Sequence, residues 1–237
     1  MAENDRVLVI GGTRGVGLLI ARVLLRQGYG VRVLARNPDT AAPHLGPDID
    51  VVAGDITKPD TLPRAVQGCA NIIFTAGVHS GRFAREALVK ETDYGGVLNT
   101  LDAARQTGFG GRFVYLNSIG IATRSVAATM LNLIKRNTLV WRARVEDQIR
   151  ASGIDYTIIR VGFLTNQPSG QRAIEVSQGA LPLAPRHRIP RADAAEVFVA
   201  AIQHPRALCT TFEIVSGRGR REPLDQLFAQ LRPDPRP

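Results

Sequence analysis

The chain has 237 residues, of which 44% are apolar, 22% charged and 5% aromatic, with two cysteines. These proportions fit one large globular domain and exclude a disordered, collagen-like or coiled-coil chain and a disulfide scaffold. The formal charge is +9, but only Lys58, Lys90 and Lys135 of the 30 basic residues are lysine, and the arginines are scattered rather than interleaved with aromatics. That pattern argues against nucleic-acid binding and leaves a few phosphate contacts as the use of the charge. No stretch approaches the ~18–20 uninterrupted apolar residues of a membrane helix, so no membrane partner is expected. The polar start, Met1 to Arg6, does not read as a secretory signal, and Cys69 and Cys209 are far apart. The expectation is a cytoplasmic protein with reduced thiols.

In chain order, short apolar and β-branched runs alternate with segments of helical period. The runs are Val7–Ile10, Val31–Ala35, Ile49–Ala53, Ile72–Thr75, Phe113–Leu116, Tyr156–Ile159 and Phe212–Val215. Nearly unbroken apolar runs predict strands buried on both faces. Between the first two, Val16, Leu19, Ile20, Val23 and Leu24 recur at helical spacing, and Gly28 ends that helix. Further helices are predicted after Lys58, from about Phe83 to Gln106, from about Arg136 to Ala151, and from Ala192 to Gln203. The alternation predicts an α/β fold, a doubly wound parallel sheet of about seven strands with helices on both faces. Between Gly162 and Pro190, four prolines and several glycines break the pattern, leaving one short apolar run at Ala173–Val176. A single domain over residues 1–231 is expected, with a small irregular substrate lobe mainly at 162–190. A flexible Pro-rich tail is expected at 232–237.

The first strand runs into Gly11-Gly12-Thr13-Arg14-Gly15-Val16-Gly17 and then a helix. Strand, glycine-rich turn and helix are the context of a dinucleotide-phosphate site. Gly11 permits the tight turn, Gly15 lets the backbone approach a pyrophosphate, and Gly17 lets the helix pack close to the sheet. The helix N-terminus then presents free N–H groups and a partial positive charge. Thr13, Arg14 and Val16 belong to the same cradle. The second strand ends Leu34-Ala35-Arg36, without the acid that an NAD ribose needs. Arg36, with Arg14, can grip the 2′-phosphate of NADP, so NADP(H) is the expected cofactor. Ala76 and Gly77 follow the fourth strand, where lack of bulk would let the backbone pass the adenine ribose. The four histidines and two cysteines show no metal-ligand spacing.

The spacing Gly-x-x-x-Gly-x-Gly resembles that of the short-chain dehydrogenase/reductase superfamily. Val33-Leu34-Ala35-Arg36-Asn37-Pro38, Gly54-Asp55-Ile56-Thr57, Thr75-Ala76-Gly77, Tyr115-Leu116-Asn117-Ser118-Ile119-Gly120 and the segment from Glu146 to Arg160 extend the likeness. Arg191-Ala192-Asp193-Ala194-Ala195 continues it. Together they are similar to an atypical branch, the NmrA-like or NAD(P)-binding group that includes flavin and biliverdin reductases of the B type. The resemblance implies a Rossmann-type sheet, an adenine contact at Asp55 with Ile56 flanking the ring, and Ser118 as the residue that polarises a substrate carbonyl. Asn117, beside Ser118, joins the implied cofactor contacts. The superfamily's Tyr and the Lys four residues after it are absent, because no tyrosine of this chain precedes a lysine at that spacing. Arg142 or Arg144 would replace the lysine as a ribose or phosphate contact. The turn Arg160-Val161-Gly162-Phe163-Leu164 departs from the family's Arg-Pro-Gly-Gly-Leu, leaving Gly162 and Leu164 as carboxamide contacts. His79 would supply a proton, and His187 lies among arginines of the lobe.

These readings lead to an NADPH-dependent oxidoreductase. It would reduce a small carbonyl, quinone or flavin-like acceptor, a small-molecule substrate. The loss of Tyr and Lys keeps a non-catalytic NADP(H)-binding sensor, regulator or assembly factor as the alternative. An epimerase with bound NADP comes third. Monomer and dimer both remain open.

Overall fold

The apolar runs become the interior strands of one sheet. A computed structural model describes residues 5–78, 85–122, 126–134 and 137–235. Strand β1 (Val7–Ile10) leads through the glycine turn into α1 (Gly15–Arg26), then β2 (Val31–Ala35), α2 (Pro38–Leu45) and β3 (Ile49–Ala53). A 3-10 turn (Pro59–Thr61) and α3 (Pro63–Val66) precede β4 (Asn71–Phe74). Next come α4 (Glu86–Val89), a π-helical segment (Lys90–Gly95), α5 (Gly96–Gln106), β5 (Arg112–Ser118), α6 (Val126–Ile134) and α7 (Thr138–Arg150). The chain finishes with β6 (Tyr156–Val161), β7 (Phe163–Thr165), β8 (Ile174–Ser177), β9 (Arg188–Pro190), α8 (Arg191–Gln203), β10 (Thr210–Ser216) and α9 (Leu224–Leu227).

The sheet order is β3-β2-β1-β4-β5-β6-β10-β8, and β7 pairs with β9 in a separate two-stranded ribbon. Seven of the eight strands run parallel, and β8 is antiparallel to β10. The expectation of about seven strands therefore gains an edge strand. The run placed at Ala173–Val176 folds back onto β10, pairing Ile174 with Ser216 and Val176 with Ile214. Alternation along β1 sends Val7 and Val9 into the layer with α1 and α8, and Leu8 and Ile10 into the layer with α5 and α7. Strand order reverses between β1 and β4, which makes that point of the carboxyl edge the natural ligand crevice.

Buried charge ties α7 to the far half of the sheet. Glu146 of α7 is almost fully buried. It accepts hydrogen bonds from Asn117 Nδ2 at 2.8 Å, from Arg160 Nε at 2.8 Å and Nη2 at 2.6 Å, and from Arg150 Nη2 at 2.9 Å. Arg160 also faces the buried Glu213 at 3.7 Å. Burial pushes the Glu213 carboxyl above its ordinary pKa, although the Leu181 N–H and Arg160 both oppose the shift. Within the tail expected to be loose, Asp234 is held in place. Asp234 accepts from Thr211 N at 2.9 Å, from Tyr156 Oη at 3.0 Å and from Arg150 Nε at 3.2 Å. No helix among the described residues is long and apolar enough to cross a membrane.

Removing Arg160 takes the ion pair from the buried Glu213 and leaves Glu146 with Arg150 and Asn117. Arg160→Met is expected to cost ~3–5 kcal/mol of stability in denaturant unfolding. Asp102→Ala, which breaks the exposed pair with Arg105, is expected to cost under ~1 kcal/mol.

Candidate functional site

The site begins where β1 ends. Thr75 donates to the Ile10 carbonyl twice, from its N–H at 2.8 Å and its hydroxyl at 3.0 Å, and so locks the ends of β1 and β4 together. Gly11 has φ +86, and a Cβ there would stand 2.7 Å from both Ala76 N and Thr75 Oγ1. A Cβ on Gly17, in the first turn of α1, would strike the Gly11 carbonyl and lie 2.6 Å from Thr75 Oγ1. Helix α1 can approach the strand ends this closely only with glycine at both positions. Gly15 is different. It has φ +60, and a Cβ on it would meet nothing within 4 Å. That open space lies at the N-terminus of α1. Arg14 there makes no side-chain capping bond, and the first turn carries no acid. The N–H groups and the positive end of the helix dipole are thus left for an anion, and the cradle fits a dinucleotide phosphate.

Two arginines flank this turn. Arg14 in the loop and Arg36 just after β2 are exposed. Among the described residues neither has a carboxylate within ion-pair distance. Thr13 is exposed beside Arg14, while Val16 is buried against the core. Asp55 uses Oδ1 to close its own turn, accepting from Thr57 N at 3.0 Å and Thr57 Oγ1 at 2.9 Å. Ile56 is buried, and its side chain packs where a Cβ on Gly96 would fall, at 2.7 Å.

The carboxyl ends of β4 and β5 hold the rest. Ser118 is half-buried, and its hydroxyl donates to the Ile119 carbonyl at 3.1 Å. Asn117 is buried. Besides Glu146, its Nδ2 reaches the Arg142 carbonyl at 3.2 Å, and its Oδ1 accepts from Ser118 N at 2.9 Å. Arg142 crosses above Gly77, where a Cβ would lie 2.5 Å from its Nη2. The space beside Gly77 is therefore filled by a guanidinium. Asp93, in the π-helical segment, fixes it. The Asp93 carboxylate takes Arg142 Nε at 3.4 Å, Thr138 Oγ1 at 2.9 Å and Val78 N at 2.8 Å. Burial opposes the charge on Arg142, but Asp93 and Tyr115 outweigh it and raise its pKa above the ordinary arginine value. Arg144 is turned away from Arg142. It is exposed and lies over the Trp141 ring, 4.7 Å from the centroid.

Asp93 was not among the residues singled out in the sequence. Its signal is there: Val89, Asp93, Val97 and Leu101 share one helical stripe, so an acid sits on an apolar face. Gly162 donates its N–H to the Ile214 carbonyl at 3.1 Å, and Leu164 pairs with Ile189 in the ribbon. Phe163 between them is exposed. His187 contacts the Pro182 carbonyl through Nδ1 at 2.8 Å and serves the lobe itself. His79 lies outside the described residues. Burial raises the pKa of Tyr115 and of Tyr156, and the Tyr156 hydroxyl is held by Asp234. Among the described residues no group of three histidine, cysteine or acidic side chains could hold a metal.

Comparison with known proteins agrees with this geometry. The NAD(P)H-binding family matches residues 11–205. Sanguinarine reductase of Eschscholzia californica is 26% identical over 241 residues, covering 86% of this chain and 87% of that protein. Photosystem II assembly factor Ycf39 of Synechocystis is 27% identical over 218 residues, covering 90% of this chain and 63% of that protein. A solved Bacillus halodurans protein assigned to the NAD-dependent epimerase/dehydratases superposes with a TM-score of 0.80 at 25% identity, over 96% of this chain and all of that one. With an open phosphate turn at the switch point and a match spanning most of its length, the chain belongs to the NAD(P)H-binding family of Rossmann-type proteins.

Proposed function

We propose that this protein is an NADPH-dependent reductase of a small carbonyl, quinone or flavin-like acceptor. The observation that carries the reading is the pair of uncommitted arginines, Arg14 and Arg36, beside the open turn at Gly15. An acid at the end of β2 would repel a 2′-phosphate, and here an arginine stands in its place. Bound NADPH supplies a hydride at its nicotinamide ring. The chain's own residues do the rest. The N–H groups of Gly15 and Val16 hold the pyrophosphate, and Arg36 with Arg14 holds the 2′-phosphate. Ser118 directs its hydroxyl at the acceptor oxygen once it releases the Ile119 carbonyl. Solvent or His79 returns the proton. Positioning supplies much of the acceleration without a strong acid. The similarity to sanguinarine reductase supports reduction. The similarity to Ycf39 and the missing Tyr and Lys support a non-catalytic NADP(H)-binding protein as the second reading. NADPH binding without turnover across aldehydes, quinones and flavins would select that second reading.

Three substitutions test the assignments. Gly15→Val places a branched side chain in the open cradle and in a left-handed backbone position, at a stability cost of ~1–3 kcal/mol. It is expected to stay folded by circular dichroism and to lose NADPH binding. Wild-type affinity in the folded variant would refute the phosphate turn. Arg36→Ala should weaken NADPH by about 10- to 150-fold, or ~1.5–3 kcal/mol, and leave NADH within about threefold. Calorimetric titration measures both. Ser118→Ala should slow single-turnover hydride transfer by ~10²–10³ while NADPH affinity changes less than about threefold. If Ser118 only caps its turn, the rate will not change and stability will fall by ~1 kcal/mol.

A further inference from the structure

Arg142 is held by its shaft, and among the described residues nothing takes its tip. Its Nε faces Asp93, and its main-chain carbonyl is held by Asn117, one residue before Ser118. Its two Nη groups have no hydrogen-bond partner among the described residues, and its side chain is 17% exposed, so the tip is neither sealed in nor free to roam. Asp93 is itself immobilised by Thr138 and the Val78 N–H, in a π-helical segment that aims its carboxylate at this point. The guanidinium thereby presents an end-on pair of N–H donors beside the ends of β4 and β5. That fork matches the two oxygens of a carboxylate. Ile119, next to Ser118 in the chain, and Leu139, one turn before Arg142 on α7, are buried in a small apolar cluster with Leu183.

We propose that Arg142 anchors an oxyanionic group, typically a carboxylate, on the reduced acceptor. The site would then select acceptors that carry an acid. This inference rests on the reductase reading and names its substrate class. It departs from the ribose or phosphate contact implied by resemblance. Asp93 has already placed the guanidinium over Gly77, and its Nη donors, unpartnered among the described residues, stand beside the ends of β4 and β5.

The test uses 2-naphthoate and its neutral isostere 2-naphthamide, titrated at neutral pH into the intact protein saturated with NADP⁺. The wild type is expected to bind the acid at least about tenfold tighter than the amide, as a charge-assisted bidentate contact requires. Arg142→Met is expected to bring the two within about twofold while NADP⁺ affinity stays within about threefold. Arg142→Lys keeps a counter-charge for Asp93 and so guards against misfolding. It should retain only part of the preference, because it lacks the fork. Equal affinity for acid and amide in the wild type would overturn the inference. So would a preference that survives in Arg142→Met, or a loss confined to NADP⁺ binding. If NADP⁺ fails to bind the wild type, the cofactor reading falls instead. The same acid-against-amide comparison on the cofactor-free protein then still decides the role of Arg142.

Discussion

Everything at the carboxyl edge depends on how closely α1 approaches the ends of β1 and β4. The Gly17 position lies against the Gly11 carbonyl, and Thr75 stitches the two strand ends through Ile10. A single methyl group at either glycine would push the helix off the sheet. With the helix seated, its first N–H groups converge on the open space at Gly15, and the side chains after β2, β4 and β5 are brought around that space. The same contact sets the positions of Arg36, Gly77 and Ser118, because each follows a strand in register with β1 or its neighbours.

The second constraint is electrostatic. The arginines that matter to the fold and to the crevice are used differently. Arg150, Arg160 and Arg221 are spent on buried or half-buried carboxylates and hold elements together. Arg14 and Arg36 have no such partner among the described residues. Arg142 lies between these uses, with its Nε bonded to Asp93 and its Nη groups without a hydrogen-bond partner among the described residues. An arginine that is oriented by one acid yet not consumed by it can present charge to a ligand without first being reorganised.

Much of the fold was legible because the interior strands are buried on both faces and read as unbroken apolar runs. β8 was harder, since only Ile174 and Val176 of its four residues are apolar and its partner is antiparallel. α2 escaped notice because Pro43 lies inside it and its apolar face is short. The phosphate turn could be read residue by residue, because Gly11 and Gly17 are needed to seat α1 on the strand ends and Gly15 to leave the space at its N-terminus open. The reacting end could not. Arg142 and Arg144 look equivalent in sequence, but residues two apart on a helix face different sides. Trp141 takes Arg144, and Asp93 takes Arg142. That choice depends on a π-helical segment that no local pattern announced.

The central claim is that this crevice is built for a dinucleotide with a 2′-phosphate. Parallel titration of the wild-type protein with NADPH and NADH, at fixed ionic strength, tests it most directly. A charge-assisted grip worth ~1.5–3 kcal/mol predicts NADPH binding at least about tenfold tighter than NADH. Equal affinity for the two would contradict the account.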